Sequence, residues 1–200
     1  MSEPITFYFD FSSPYSYLAS DLIDDLAAKH GRKVQWRPIM IGAAFKAAGS
    51  PFLLEVPLKG AYSKRDIERS ARCYGVPYVF PKCFPALTLT AARAYYWLHG
   101  RDCAQARAFA HAVFRAMWVE DRDIAQDAVI GEIATTLGID APDMLAAAST
   151  PEAKARVKQE TESAIAAGMF GAPYFLVDGE PFWGADRLPQ IDKWLETGGF

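Results

Sequence analysis

Two hundred residues suit one domain, or one domain carrying a large insertion. With 51% hydrophobic and 14% aromatic residues, the chain can bury a sizeable core without disulfide staples. A net charge of −3 argues against the basic face that a nucleic-acid binder needs, and no apolar run reaches the length of a membrane span. The first residues lack the basic segment and apolar stretch of a signal peptide. The three cysteines, Cys73, Cys83 and Cys103, form no C-x-x-C pair. Both observations fit a reducing, cytoplasmic setting, with the thiols incidental.

In chain order, residues 5–11 read as an aromatic-rich strand, Ile-Thr-Phe-Tyr-Phe-Asp-Phe. Ser13 and Pro14 then open a helix, serine as N-cap and proline at the first helical position. Tyr15, Leu18, Leu22 and Leu26 recur at helical spacing, and Lys29-His30-Gly31 stops the run. Residues 34–37 form a second strand, ended by Pro38.

From about residue 41 to 167 the patterns are helical throughout. Residues 50–59 are proline-rich and aperiodic, which reads as a loop. Ala106, Phe109, Ala110, Val113, Phe114 and Met117 make one apolar stripe. A helix is expected over 124–137, ended by Gly138, and Pro142 opens a short one. Thr150-Pro151-Glu152 is an N-cap, a proline and an acid suited to a helix start, and that helix ends at Gly168. Residues 174–177 are a strand, Asp178-Gly179 a hairpin turn, and 180–183 the returning strand. A last helix follows Gly184-Ala185-Asp186, with Leu188, Ile191 and Leu195 inward. The order β-α-β, helical insert, β-β-α is an α/β fold of the thioredoxin-like kind interrupted by a large all-helical insertion. Residues 1–40 and 168–200 would form the thioredoxin-like domain and 41–167 the inserted helical domain.

The aromatic strand, Ser13-Pro14-Tyr15-Ser16, the helical insert, Gly171-Ala172-Pro173 and Trp183-Gly184-Ala185-Asp186-Arg187-Leu188 follow one another in that order. So arranged, they resemble the 2-hydroxychromene-2-carboxylate isomerase family, glutathione-dependent relatives of kappa-class glutathione transferases and, more distantly, of DsbA. The likeness spans essentially the whole chain. Lys46, Lys59-Gly60-Ala61-Tyr62, Asp66, Gly75-Val76-Pro77 and Trp118 ahead of Asp123-Ile124 agree with it. Two positions depart from the family pattern. Ser50 stands where asparagine is usual, and Ala185 where serine or asparagine precedes the aspartate. By the resemblance, each change would remove a side-chain hydrogen bond to glutathione worth about 1 kcal/mol.

Taken alone, Ser13 is an N-cap, Pro173 the start of a strand and Asp186 a cap on the last helix. The resemblance adds roles. Ser13, at a helix start where anions are favoured, would hold the thiolate of glutathione by a hydrogen bond. Pro14 and Tyr15 would line the same pocket. Ala172, before a cis Pro173, would pair its backbone with the cysteinyl unit as an added strand. Asp186 would receive the γ-glutamyl ammonium, and Ser50 and Ala185 would lie against the tripeptide. Lys46 and Lys59, otherwise ordinary surface lysines, would face the substrate carboxylate, and Trp118, otherwise core, would wall the substrate pocket. His30, His99 and His111 show no metal spacing.

The implied activity interconverts 2-hydroxychromene-2-carboxylate and trans-o-hydroxybenzylidenepyruvate, with glutathione as cofactor, in aromatic catabolism. By this likeness the protein is also a homodimer. One alternative is a kappa-like transferase that consumes glutathione by conjugation. Another is a non-catalytic thioredoxin-like binding module in which Ser13 only caps a helix. Disulfide exchange is disfavoured, because serine forms no mixed disulfide.

Overall fold

The computed structural model describes residues 3–200, so residues 1 and 2 of the expected first segment lie outside it. Strand β1 (Ile5–Phe9) leads through a tight turn to α1 (Pro14–Ser20) and α2 (Ile23–Lys29), and the chain returns as β2 (Val34–Pro38). The helices α3 (Ile41–Ala48), α4 (Lys59–Tyr74), α5 (Leu89–His99), α6 (Cys103–Trp118), α7 (Asp127–Thr136), α8 (Ala141–Ala148) and α9 (Pro151–Ala166) follow. The hairpin β3 (Tyr174–Val177) and β4 (Glu180–Trp183) then precedes α10 (Leu188–Thr197). The sheet order is β2-β1-β3-β4, with β1 parallel to β2 and both β3 pairings antiparallel.

Strand alternation sets the two sides of the sheet. Phe7 pairs in register with Trp36 on one flank and Phe175 on the other. Their rings meet Phe7 at 5.1 and 5.2 Å. Phe9 and Phe11 continue this face against Phe114 of α6, at 5.5 and 5.0 Å. Each such fully buried aromatic contributes about 1.5–3 kcal/mol. On the opposite face Tyr8 and Tyr174 join Ile39, Ala44, Ala164, Met169 and Ala172, bringing α3 and α9 against the loop before β3.

β2 is an edge strand, and side chains from α5 and α6 occupy its carbonyls. Arg107 Nη2 donates to Val34 at 2.7 Å, Tyr95 OH to Trp36 at 3.2 Å and Tyr96 OH to Pro38 at 2.9 Å. An uncovered edge is a template for pairing with another chain.

Three boundaries differ from those expected. β1 stops at Phe9 rather than residue 11, because the Asp10 carboxylate takes the Ser12 N–H at 2.8 Å and its carbonyl takes the Ser13 N–H at 2.9 Å. The single helix expected over 13–31 is two, broken where the Ser20 hydroxyl bonds back to the Tyr17 carbonyl at 2.7 Å. α7 starts at Asp127 rather than 124, because Asp123 holds the Ala125 N–H at 3.1 Å and the Gln126 amide at 2.9 Å. The loop 50–59 contains one short 3-10 turn, Leu53–Glu55.

Candidate active site

Ser13 is the N-cap of α1: its Oγ accepts the Ser16 N–H at 3.1 Å, and Pro14 takes the first helical position. The same hydroxyl donates to the carbonyl of Ala172 at 3.0 Å. Ser13 is therefore buried, while Pro14 and Tyr15 remain half-exposed beside it. The Ala172–Pro173 peptide is cis. The Ala172 N–H makes no hydrogen bond among the described residues, so its carbonyl is engaged and its N–H is open.

The turn after β4 lies against this loop. Gly184 N–H donates to the Pro173 carbonyl at 3.0 Å, which sets Ala185 and Asp186 beside the cis peptide. Gly184 has φ +109°, and a Cβ there would lie 2.4 Å from Asp186 Oδ1. The carboxylate thus folds over a position only glycine can hold. Asp186 does not cap the last helix: neither Ala185–Arg187 nor α10 has a side-chain cap, and the carboxylate is 68% exposed, 3.4 Å from Arg187. Ala185 is buried and offers only backbone.

Gly171 packs against the Trp183 indole, whose Nε1 would sit 2.7 Å from an added Cβ.

α4 closes one side. Tyr15 OH donates to Asp66 Oδ2 at 2.7 Å, and Asp66 also pairs with Arg69, whose guanidinium reaches Tyr62 OH at 3.1 Å. Burial, then the Asp66 hydrogen bond, hold the Tyr15 proton well above the ordinary tyrosine range, and the charge of Asp186 adds to this. Tyr74 is raised likewise, by burial and then Asp186. Two carboxylates, Asp66 and Asp186, thus act on the same two tyrosines, each with an arginine beside it.

Lys46 lies in the last turn of α3, exposed, and Ser50 follows the Gly49 cap, also exposed. Lys59 opens α4, exposed, after Leu58 has turned the chain at φ +67°. A cation at a helix start opposes the macrodipole, so Lys59 does not stabilise α4 by its charge. Trp118 corrects an expectation. It is fully buried, donates to the Phe11 carbonyl at 2.9 Å, and stacks with Tyr17 and Tyr78 at 6.2 and 5.9 Å. With no exposed surface it walls no pocket in this structure. The partly exposed aromatics in front of it are Phe84, 5.6 Å away, and Phe52 beyond.

Sequence reasoning leaves two residues without a role. Asp66 agrees with the family pattern, but nothing local marks its partner 51 positions earlier. Asp10 does carry a signal: it is a single acid inside the aromatic run Phe9-Asp10-Phe11. Among the described residues no cluster of histidine, cysteine or acid could hold a metal. The three cysteines are free and exposed.

The chain matches the family model for the DSBA-like thioredoxin domain over residues 4–196. It is 36% identical over 197 residues to 2-hydroxychromene-2-carboxylate isomerase of Sphingobium xenophagum, covering 98% of this chain and 99% of that protein. It is 26% identical to glutathione S-transferase kappa 2 of Caenorhabditis elegans, covering 96% and 91%. A solved structure of 2-hydroxychromene-2-carboxylate isomerase superposes with a TM-score of 0.87 at 30% identity, covering 96% and 94%.

Proposed function

The chain belongs to the DSBA-like thioredoxin family, among its 2-hydroxychromene-2-carboxylate isomerases, and on that footing we propose that it is a glutathione-dependent isomerase. Its reaction would interconvert 2-hydroxychromene-2-carboxylate and trans-o-hydroxybenzylidenepyruvate. Relatives named as isomerases, 30–36% identical over nearly the whole chain, support an enzyme of the isomerase class. The observation that carries the glutathione reading is the pair Ser13 and Ala172. A redox cysteine is replaced by a hydroxyl, beside an open backbone N–H that an extended peptide can use.

Bound glutathione would supply a thiolate that adds reversibly to the unsaturated keto acid, leaving a single bond free to rotate before the thiolate departs. The protein residues account for the rest. Ser13 would turn its hydroxyl from the Ala172 carbonyl to the sulfur and stabilise negative charge there. Released, the Ala172 carbonyl and its N–H would pair with the cysteinyl backbone, Pro173 fixing the loop. Asp186, exposed beside that loop, suits an ammonium, and the backbone amides at Ala185 suit a carboxylate. Pro14 and Tyr15 would line the thiol pocket, and Ser50 would contact the tripeptide from the end of α3. Lys46 and Lys59, each exposed, would attract the substrate carboxylate.

Isomerisation measured with and without glutathione tests this reading. The rate should depend on glutathione while the thiol concentration stays constant. Turnover unchanged without glutathione would remove the glutathione dependence. Falling thiol concentration would favour conjugation, the reading that the kappa relatives support. A protein that binds glutathione but keeps every activity in Ser13→Ala would be a binding module. A cytoplasmic homodimer belongs to the same proposal, and sedimentation at twice the 22.1 kDa chain mass would check its assembly.

A further inference from the structure

Asp10 ends β1 almost wholly buried, 4% exposed. Its carboxylate accepts three hydrogen bonds from three separate segments. Oδ1 takes the Ser12 N–H at 2.8 Å and the Thr88 hydroxyl at 3.1 Å, and Oδ2 takes the Ile41 N–H at 2.9 Å. Ser12 belongs to the turn that delivers Ser13, Ile41 is the first residue of α3, and Thr88 immediately precedes α5. The knot is tied twice more: Ser13 N–H donates to the Asp10 carbonyl at 2.9 Å, and Ala86 N–H to Ser12 Oγ at 3.1 Å.

Burial drives this carboxyl above the ordinary range, and the hydrogen bonds from Ile41, Ser12 and Thr88 oppose that rise. An acid placed there costs desolvation that an apolar residue would not. The two backbone N–H groups face different oxygens, so both oxygens must accept. An amide cannot do this: its NH₂ would oppose one of the two donors. Only a carboxylate joins these segments at once.

We propose that Asp10 is a positioning residue for the isomerase reaction, locking the Ser13 turn to the starts of α3 and α5. The Ser13 hydroxyl and the helix that carries Lys46 thereby hold one fixed relation. This rests on the glutathione reading above. A reacting group held loosely by its surroundings loses rate steeply, while binding by other contacts persists.

The test uses the full chain as wild type, Asp10→Asn, Thr88→Val and Thr88→Ser. Each is titrated with glutathione by calorimetry, its bound thiolate is followed by ultraviolet absorbance, and kcat and KM are measured. In Asp10→Asn, kcat should fall about tenfold or more, thiolate absorbance should weaken, and glutathione Kd should stay within about threefold. Thr88→Val should show a smaller loss of the same kind, and Thr88→Ser should restore it. Should Asp10→Asn fail to fold, Thr88→Val against Thr88→Ser decides. Wild-type kcat and thiolate absorbance in Thr88→Val and in any folded Asp10→Asn would overturn the proposal, as would a rise in KM alone. Wild type that binds no glutathione would remove the glutathione reading, and this proposal with it. That result is read in the unmutated protein and so is separable from the others.

Discussion

The Ser13 hydroxyl and the Ala172 carbonyl, 159 residues apart in sequence, are joined by a 3.0 Å hydrogen bond. That bond is internal to the protein and would have to be exchanged when a thiol arrives. On the glutathione reading the exchange would conserve hydrogen bonds: the serine would turn to sulfur, and the carbonyl to a peptide N–H.

Ser13→Ala removes the cap of α1 and, on the glutathione reading, the hydroxyl that would stabilise the thiolate. Stability should fall by about 0.5–2 kcal/mol, as for other lost N-caps. Catalysis should fall further, by about 10²-fold in kcat, the scale for removing one donor to a developing charge. Thermal melts and steady-state kinetics on the same preparation separate the two. A loss of stability with full activity would reduce Ser13 to a cap.

Gly184→Ala forces a Cβ against the Asp186 carboxylate in backbone that L residues avoid. A cost of about 1 kcal/mol or more in stability is expected. The displaced carboxylate should weaken glutathione binding while substrate KM holds at saturating glutathione. Calorimetric titration checks the first point and kinetics the second.

Lys59→Glu should move stability and activity in opposite directions. An acid at the start of α4 suits the helix dipole and should add about 0.3–1 kcal/mol. If Lys59 faces the substrate carboxylate as proposed, the same change should raise the substrate KM. A melting curve and a KM measurement suffice. Equal activity would return Lys59 to the ordinary surface.

Alkaline pH should destabilise the protein. Burial raises Tyr8, Tyr15, Tyr17, Tyr78, Tyr95 and Tyr96, with Tyr17 pushed up to about 12. Above pH about 10 the unfolded chain loses these protons first, so it binds fewer than the native state and stability falls with pH. The contribution is complete below pH about 10 and is lost as pH climbs through the folded values. On the acid side, burial lowers His111 and His99, so stability should fall below pH about 6.5, where the unfolded histidines take protons first. Melting temperature against pH, with His111→Gln for comparison, reads both limbs.

The fold was legible because local signals agreed with one another. Thr150-Pro151 caps α9 as read, Asp178-Gly179 makes the hairpin turn, and the stripe on α6 is buried. The misread boundaries share one cause. Asp10, Ser20 and Asp123 each bond a nearby backbone group and divert the chain, and short polar side chains leave no mark in a hydrophobic period. The site was less legible. Ser13, Ala172 and Asp186 stand at recognisable junctions, whereas Tyr15–Asp66 is a long-range contact with no periodicity. Trp118 proves fully buried, and an aromatic lining a pocket and an aromatic in the core look alike in sequence.

The capping of β2 by Arg107, Tyr95 and Tyr96 bears on how this protein can be shortened or recombined. The helical segment hides the margin of the sheet. A shortened chain that joined residue 40 to residue 168 would keep the four strands but bare three edge carbonyls and the apolar faces of Phe9 and Trp36. Such a truncate should clump into intermolecular sheet rather than persist as a small reader of thiols. The insertion is therefore not freely detachable: the scaffold and its embellishment depend on each other to stay dispersed.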